Sequence, residues 1–149
     1  MVPQFGSEIV FCGSTGHELH QGSYRAYTGV DISEVAVQRA RQTSALAGRS
    51  DRNRFLQGDI TTYVPDTKAD VILFKDCLYY VPWRQVKAML MRYSHHLADG
   101  GVFIARFASL EKYAPLIGMI ERDFAVLDKE SFDRPPALVL VFRGNRATR

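Results

Sequence analysis

Asp70-Val71-Ile72-Leu73-Phe74-Lys75 is an unbroken apolar run closed at both ends by charge. A strand with one wet face alternates polar and apolar side chains. A continuous run instead belongs to a strand buried on both faces, as in a parallel sheet between two layers of helix. Working outward, Glu8–Cys12, Tyr27–Asp31, Arg54–Gln57 and Val102–Phe107 share the same enrichment in Val, Ile, Phe and Leu and the same Gly, Asp or Pro boundaries. Helical segments fall between them. Ser33 caps a helix that runs through about Ala47 and stops at Gly48. A second helix opens at Pro82, carries Val86, Met89, Leu90, Tyr93 and Leu97 on one stripe, and ends at Asp99-Gly100-Gly101. A third begins after Ser109, with Leu110, Tyr113, Ile117 and Ile120 at helical spacing.

The C-terminal end breaks the alternation. Phe124-Ala125-Val126-Leu127 and Ala137–Phe142 are strand runs with no room for a helix between them, so they pair antiparallel across the turn chemistry of Asp133-Arg134-Pro135-Pro136. The expectation is an α/β fold: a doubly wound, Rossmann-like, mostly parallel sheet ending in an antiparallel hairpin, with residues 1–149 as one domain.

The 149 residues are 46% hydrophobic and 23% charged, which excludes a disordered or fibrous chain. The two cysteines, Cys12 and Cys77, lie in apolar stretches and support neither a disulfide framework nor a zinc site. No apolar run approaches the ~20 residues of a membrane span. Met1–Gly6 lacks the cationic and apolar segments of a secretory leader. A cytoplasmic setting without membrane contact is therefore expected. With a net charge of +3, the cluster Arg39, Arg41, Arg49, Arg52 and Arg54 reads as a solvated helix face and loop, and nucleic acid is an unlikely partner.

In an open α/β sheet, ligands bind beyond the carboxyl ends of the strands. Asp31 stands at the tip of the second strand, where a carboxylate can accept from both hydroxyls of a ribose; a helix-start acid is the alternative. After the third strand comes Gln57-Gly58-Asp59-Ile60. There Asp59 can accept from an exocyclic amine while the Ile60 N–H donates to a ring nitrogen, a pair that reads adenine; a plain Gly-Asp turn is the alternative. Cys12-Gly13-Ser14-Thr15-Gly16 is a small-residue loop after the first strand whose amides can approach a ligand closely.

In this order and at these strand ends, the segments resemble the class I S-adenosylmethionine-dependent methyltransferase family over nearly the whole chain. Tyr27–Ser33 is similar to the family's ribose motif and Gly58-Asp59-Ile60 to its adenine motif. Ala69–Tyr80 resembles its fourth-strand motif with the Leu-Tyr-Tyr ending of small-molecule members, and His96–Phe103 the approach to its fifth strand. The resemblance implies a seven-stranded sheet and S-adenosylmethionine as cofactor. It implies cofactor contacts from Cys12, Gly13, Ser14, Gly16, Asp31, Ile32, Asp59, Ile60, Lys75 and Leu78. Asp76 and Tyr79 become the catalytic candidates, with Tyr79 and Tyr80 as walls for a small-molecule acceptor, no metal, and a monomer or homodimer as the assembly.

The first motif departs from the family pattern: Val10 stands at its acidic position, and Cys12 and Ser14 replace glycines. The helices that precede the family's first strand are expected to be missing. A dinucleotide-binding oxidoreductase would show G-x-G-x-x-G at the first turn and has no need of the terminal hairpin. A methyltransferase-like scaffold without catalysis, acting as an interaction module, is the second reading. His17 and His20 read as surface residues. His95 and His96 are adjacent and cannot share one face of a helix as metal ligands do.

Overall fold

The structure is a computed structural model that describes residues 5–11, 19 and 22–144. Its strands are β1 (Phe5–Phe11), β2 (Tyr24–Asp31), β3 (Asn53–Gln57), β4 (Ala69–Lys75), β5 (Leu97–Phe107), β6 (Phe124–Asp133) and β7 (Pro136–Gly144). The helices are α1 (Glu34–Leu46), α2 (Trp83–Ser94) and α3 (Ala114–Asp123), with a short 3-10 turn at Leu78–Tyr80. All seven strands form one sheet in the order β3-β2-β1-β4-β5-β7-β6. β3 through β5 pair in parallel, and β7 runs antiparallel to both β5 and β6. The expected doubly wound sheet with its terminal hairpin is the observed one. The strand order reverses at β1, so a crevice opens where β1 and β4 diverge, at their carboxyl ends.

Side-chain alternation along β1 divides the core. Ile9 and Phe11 face the layer of α2 and α3, packing with Ile72, Phe74, Leu90, Tyr93, Phe103 and Phe142. Val10 faces the opposite side, with Tyr24, Tyr27, Phe55 and the α1 residues Val37 and Ala40. Ser33 caps α1 as expected, its Oγ accepting from the Ala36 N–H at 3.2 Å, and Gly48 lies just past the helix with φ of 68°.

Several boundaries differ from the sequence reading, and β1 and β2 each begin three residues earlier, at Phe5 and Tyr24. α2 stops at Ser94, and Leu97 begins β5 rather than extending the helical stripe. The reason is tertiary: Leu97 pairs with Ala69 of β4, and the Ala69 N–H donates to the His96 carbonyl at 2.9 Å. Gly100 and Gly101 then lie within the strand beside an irregularity in the β4–β5 register, not at a helix stop. Gly100 has φ of 76°, and a Cβ on Gly101 would meet the Ala98 carbonyl oxygen at 2.9 Å. α3 begins at Ala114, where Pro115 suits the first turn, which leaves Leu110 outside the helix and 41% exposed. Both hairpin arms are longer than the apolar runs indicate, because ladder bonds carry the polar residues Asp128–Asp133 along with the rest.

The arginine cluster is only partly a solvated face. Arg41 donates to the Phe55 carbonyl at 2.8 Å, Arg49 donates to the Leu19 carbonyl, and Arg54 pairs with Asp66 at 3.0 Å.

Candidate active site

The tips of β2 and β3 are joined directly. The Gly58 N–H donates to the Asp31 carbonyl at 2.9 Å, and the Gln57 side-chain amide donates to the Ile32 carbonyl at 3.2 Å. These bonds bring Asp31, Ile32, Asp59 and Ile60 to one edge of the crevice. Asp31 Oδ1 accepts from the Ser33 N–H at 2.8 Å, which orients the carboxylate and leaves Oδ2 free among the described residues. Asp59 repeats the arrangement, Oδ1 accepting from the N–H and hydroxyl of Thr61 at 2.8 and 2.7 Å. Those bonds hold the Asp59 carboxyl below its ordinary range, so it is charged at neutral pH. The Ile60 N–H has no acceptor among the described residues. Ile32 is 67% exposed, an apolar side chain standing in solvent where a flat ring could cover it.

After β3 the chain forms a turn and loop with no helix, and α2 holds it. Arg92 donates to the carbonyls of Tyr63, Thr61 and Ile60 at 2.8, 3.1 and 3.4 Å. The Tyr93 hydroxyl donates to the Ile60 carbonyl at 2.5 Å, and the Arg92 guanidinium lies 4.4 Å from the Tyr93 ring centroid. Burial pushes the Tyr93 phenol up to about 12, so it remains a donor. Sequence reasoning placed Tyr93 on a packing stripe and passed over Arg92. Only its distance from Ile60 in the fold reveals it.

At the end of β4 the chain turns sharply. Asp76 has φ of 53°, a left-handed conformation that Asp tolerates better than most residues. Its N–H donates to the Arg106 carbonyl, its Oδ2 pairs with the Arg106 guanidinium, and its Oδ1 is buried without a partner among the described residues. A buried acceptor in a strained turn at a strand tip is the type of group that binds a ligand's N–H or O–H. Leu78 is wholly buried, so only its backbone can serve a cofactor, and Lys75 is half-buried. The Cys77 thiol donates to the Phe11 carbonyl at 3.6 Å, tying this turn to the end of β1. Cys12, Gly13, Ser14, Gly16, His17 and His20 lie outside the described residues.

Beyond Asp76 a groove of about 640 Å³ opens between the Leu78–Tyr80 turn, the start of α2 and the start of α3. Tyr79, Tyr80, Trp83, Lys112, Tyr113 and Leu116 line it. Tyr79 stacks on Tyr113 with ring centroids 4.4 Å apart and planes 11° from parallel. Burial, with the neighbouring Asp76 carboxylate, pushes the Tyr79 phenol up to about 12, which makes it a donor and a wall, not a base. Tyr79 and Tyr80, expected from the sequence to wall a substrate pocket, both line this groove. Lys112 and Tyr113 join them only through the fold, while Trp83 follows closely along the chain. Among the described residues no group of three His, Cys, Asp or Glu is arranged to hold a metal ion, and no helix is long and apolar enough to cross a membrane.

A sheet of this order with these strand tips defines a methyltransferase fold, and the family comparison agrees. Residues 11–101 match the methyltransferase domain family, and the chain belongs to it. No curated protein matches the chain in sequence. Among solved structures, it is similar to the N-methyltransferase NodS from Bradyrhizobium japonicum WM9, with a TM-score of 0.78 at 16% identity, covering 97% of this chain and 88% of that one. An S-adenosylmethionine-dependent methyltransferase from Clostridium acetobutylicum ATCC 824 gives 0.77 at 16% identity, covering 95% and 85%. An O-methyltransferase family 2 protein from Planctomyces limnophilus DSM 3776, solved with apigenin, gives 0.72 at 17% identity, covering 95% and 51%. NodS has also been solved with S-adenosyl-L-homocysteine.

Proposed function

We propose that the chain is an S-adenosylmethionine-dependent methyltransferase acting on a small-molecule acceptor, with residues 1–149 forming one such domain in a cytoplasmic monomer or homodimer. The observation that supports this best is the junction of Asp31 with Gly58. It sets two oriented carboxylates, each with an oxygen free among the described residues, beside the Ile60 N–H, which likewise has no acceptor there, and the exposed Ile32. That set matches a nucleoside: Asp31 Oδ2 accepts from a ribose hydroxyl, Asp59 Oδ2 accepts from the exocyclic amine, Ile60 donates to a ring nitrogen, and Ile32 covers the ring face. Cys12, Gly13, Ser14 and Gly16 would hold the methionine end, with Lys75 and the Leu78 backbone toward the sulfur.

When bound, the cofactor supplies an electrophilic methyl group on a sulfonium. Transfer by in-line displacement needs no nucleophile from the protein. What the chain contributes is alignment of the acceptor at about 3–3.5 Å from that methyl. Asp76 Oδ1 accepts a hydrogen bond from the acceptor's N–H or O–H and so aims its lone pair. Tyr79 closes the near wall of the groove with a neutral phenol.

Calorimetric titration with S-adenosylmethionine and S-adenosylhomocysteine tests the reading without knowledge of the acceptor. Micromolar binding is expected, and Asp31→Ala is expected to weaken it at least about tenfold, since charge-assisted bonds contribute about 1.5–3 kcal/mol each. Unchanged affinity in Asp31→Ala would remove the ribose assignment. A folded chain that binds neither compound would instead be the non-catalytic scaffold.

A further inference from the structure

We propose that the groove beyond Asp76 takes a planar aromatic acceptor bearing an anionic substituent, with Lys112 as the residue that selects the anion. The inference rests on the methyltransferase reading for the word acceptor, but the chemistry of the guest comes from the groove itself. Tyr80 and Trp83 are 76% and 65% exposed, an unusual cost for two large aromatic side chains unless something flat covers them. Behind them, Tyr79 and Tyr113 are locked by their mutual stacking into a rigid wall. A volume of about 640 Å³ accommodates a one- or two-ring guest with room for its substituents.

The charge on the lining decides the rest. Among the described residues, Lys112 is the only formally charged one that lines the groove, and no carboxylate does. Its ammonium forms no ion pair among the described residues. It lies 5.4 Å from the Tyr113 ring centroid, so that ring's face already carries a cation. An aromatic cage that bound an ammonium guest would place it over such a face and meet like charge. Asp76 meets only the reacting N–H or O–H of the acceptor from beyond the groove lining, and its charge is paired with Arg106, so it does not offset Lys112 along the walls. Aromatic walls therefore favour a flat ring, and the unpaired Lys112 favours a carboxylate or similar anion over an amine.

Trp83 is the single tryptophan of the chain, so its fluorescence reports the groove directly. The test titrates the full chain with 4-hydroxybenzoate, 4-hydroxybenzamide and tyramine, which share one ring and differ in charge. Saturable quenching is expected at a concentration about tenfold lower for 4-hydroxybenzoate than for the amide, with tyramine weakest. In Lys112→Gln, a substitution at an exposed position, the carboxylate and the amide are expected to quench equally. Tyramine or the amide quenching as well as the carboxylate in the native chain would overturn the proposal. So would absence of saturable quenching by the carboxylate, or a carboxylate preference that survives Lys112→Gln. The cofactor titration separates the two readings. S-adenosylhomocysteine binding without the carboxylate preference defeats this inference alone, whereas the preference without cofactor binding leaves an anionic-aromatic site and defeats methyl transfer.

Discussion

On the side of the sheet covered by α2 and α3, aromatic rings run in unbroken contact from β1 to β6. Phe11 stacks on Phe74 at 5.4 Å, Phe74 meets Phe103 at 5.9 Å, Phe103 meets Phe142 at 5.3 Å, and Phe142 meets Phe124 at 5.6 Å. On the side covered by α1, the described core is a smaller group around Val10, Tyr27, Val37 and Phe55. It also buries Ser44 Oγ and Asn53 Nδ2 without partners among the described residues. α1 leaves Val35 and Leu46 exposed, whereas α2 buries its stripe Val86, Met89, Leu90 and Tyr93. The contrast teaches where the candidate site obtains its rigidity. The loop after β3 and the groove both rest on α2, through the Arg92 and Tyr93 bonds at one end and Pro82 and Trp83 at the other. The tip of β2, with Asp31, is held by short-range bonds to Ser33 and Gly58.

The largest expected effect tests the packing half of this contrast. Phe74→Ala removes a fully buried ring touching Phe11, Tyr93 and Phe103, and is expected to cost about 3–5 kcal/mol in urea unfolding. Phe55→Ala, in the smaller cluster, is expected to cost no more than about 3 kcal/mol. Equal losses would erase the distinction between the two faces.

A smaller effect concerns pH. Tyr93 is pushed up to about 12 in the folded chain, against about 10 when unfolded. Between those values the folded state keeps a proton that the unfolded state has lost. The associated stability is complete below about pH 10 and disappears as pH rises toward 12. Unfolding of Tyr93→Phe is accordingly expected to change less between pH 9 and pH 11.5 than that of the native chain. A parallel alkaline decline in both would place the sensitive group elsewhere.

The smallest effect sharpens the role of α2 in the site. Arg92→Met keeps the apolar stem over Tyr93 but removes the guanidinium's bonds to three carbonyls of the loop after β3. S-adenosylhomocysteine affinity is expected to fall about tenfold while the unfolding midpoint shifts only slightly, because these bonds lie at a partly exposed surface. A loss of stability with unchanged cofactor affinity would make the clamp a packing feature alone.

Features legible in the sequence were those set by neighbours along the chain. The run Val71–Phe74 could not be half exposed, Ser33 and Gly48 bracketed α1, and two strand runs with no helix between them had to pair antiparallel. Strand tips then came from strand ends, which is why Asp31, Asp59 and Asp76 could be named as candidates. Leu97 was misread because helical spacing from Tyr93 and strand pairing with Ala69 make opposite demands on it, and only pairing across the sheet decides between them.

The amino-acid sequence by itself determined the α/β alternation, the terminal hairpin and the acidic strand tips, since each depends on side-chain period or turn chemistry within a few residues. The tertiary structure alone decided that Arg106 would occupy one oxygen of Asp76, that Arg92 and Tyr93 would hold the loop bearing Ile60, and that Lys112 would share a groove with Tyr79. Those contacts join residues about 30 positions apart, and no local rule of spacing or propensity reaches that far.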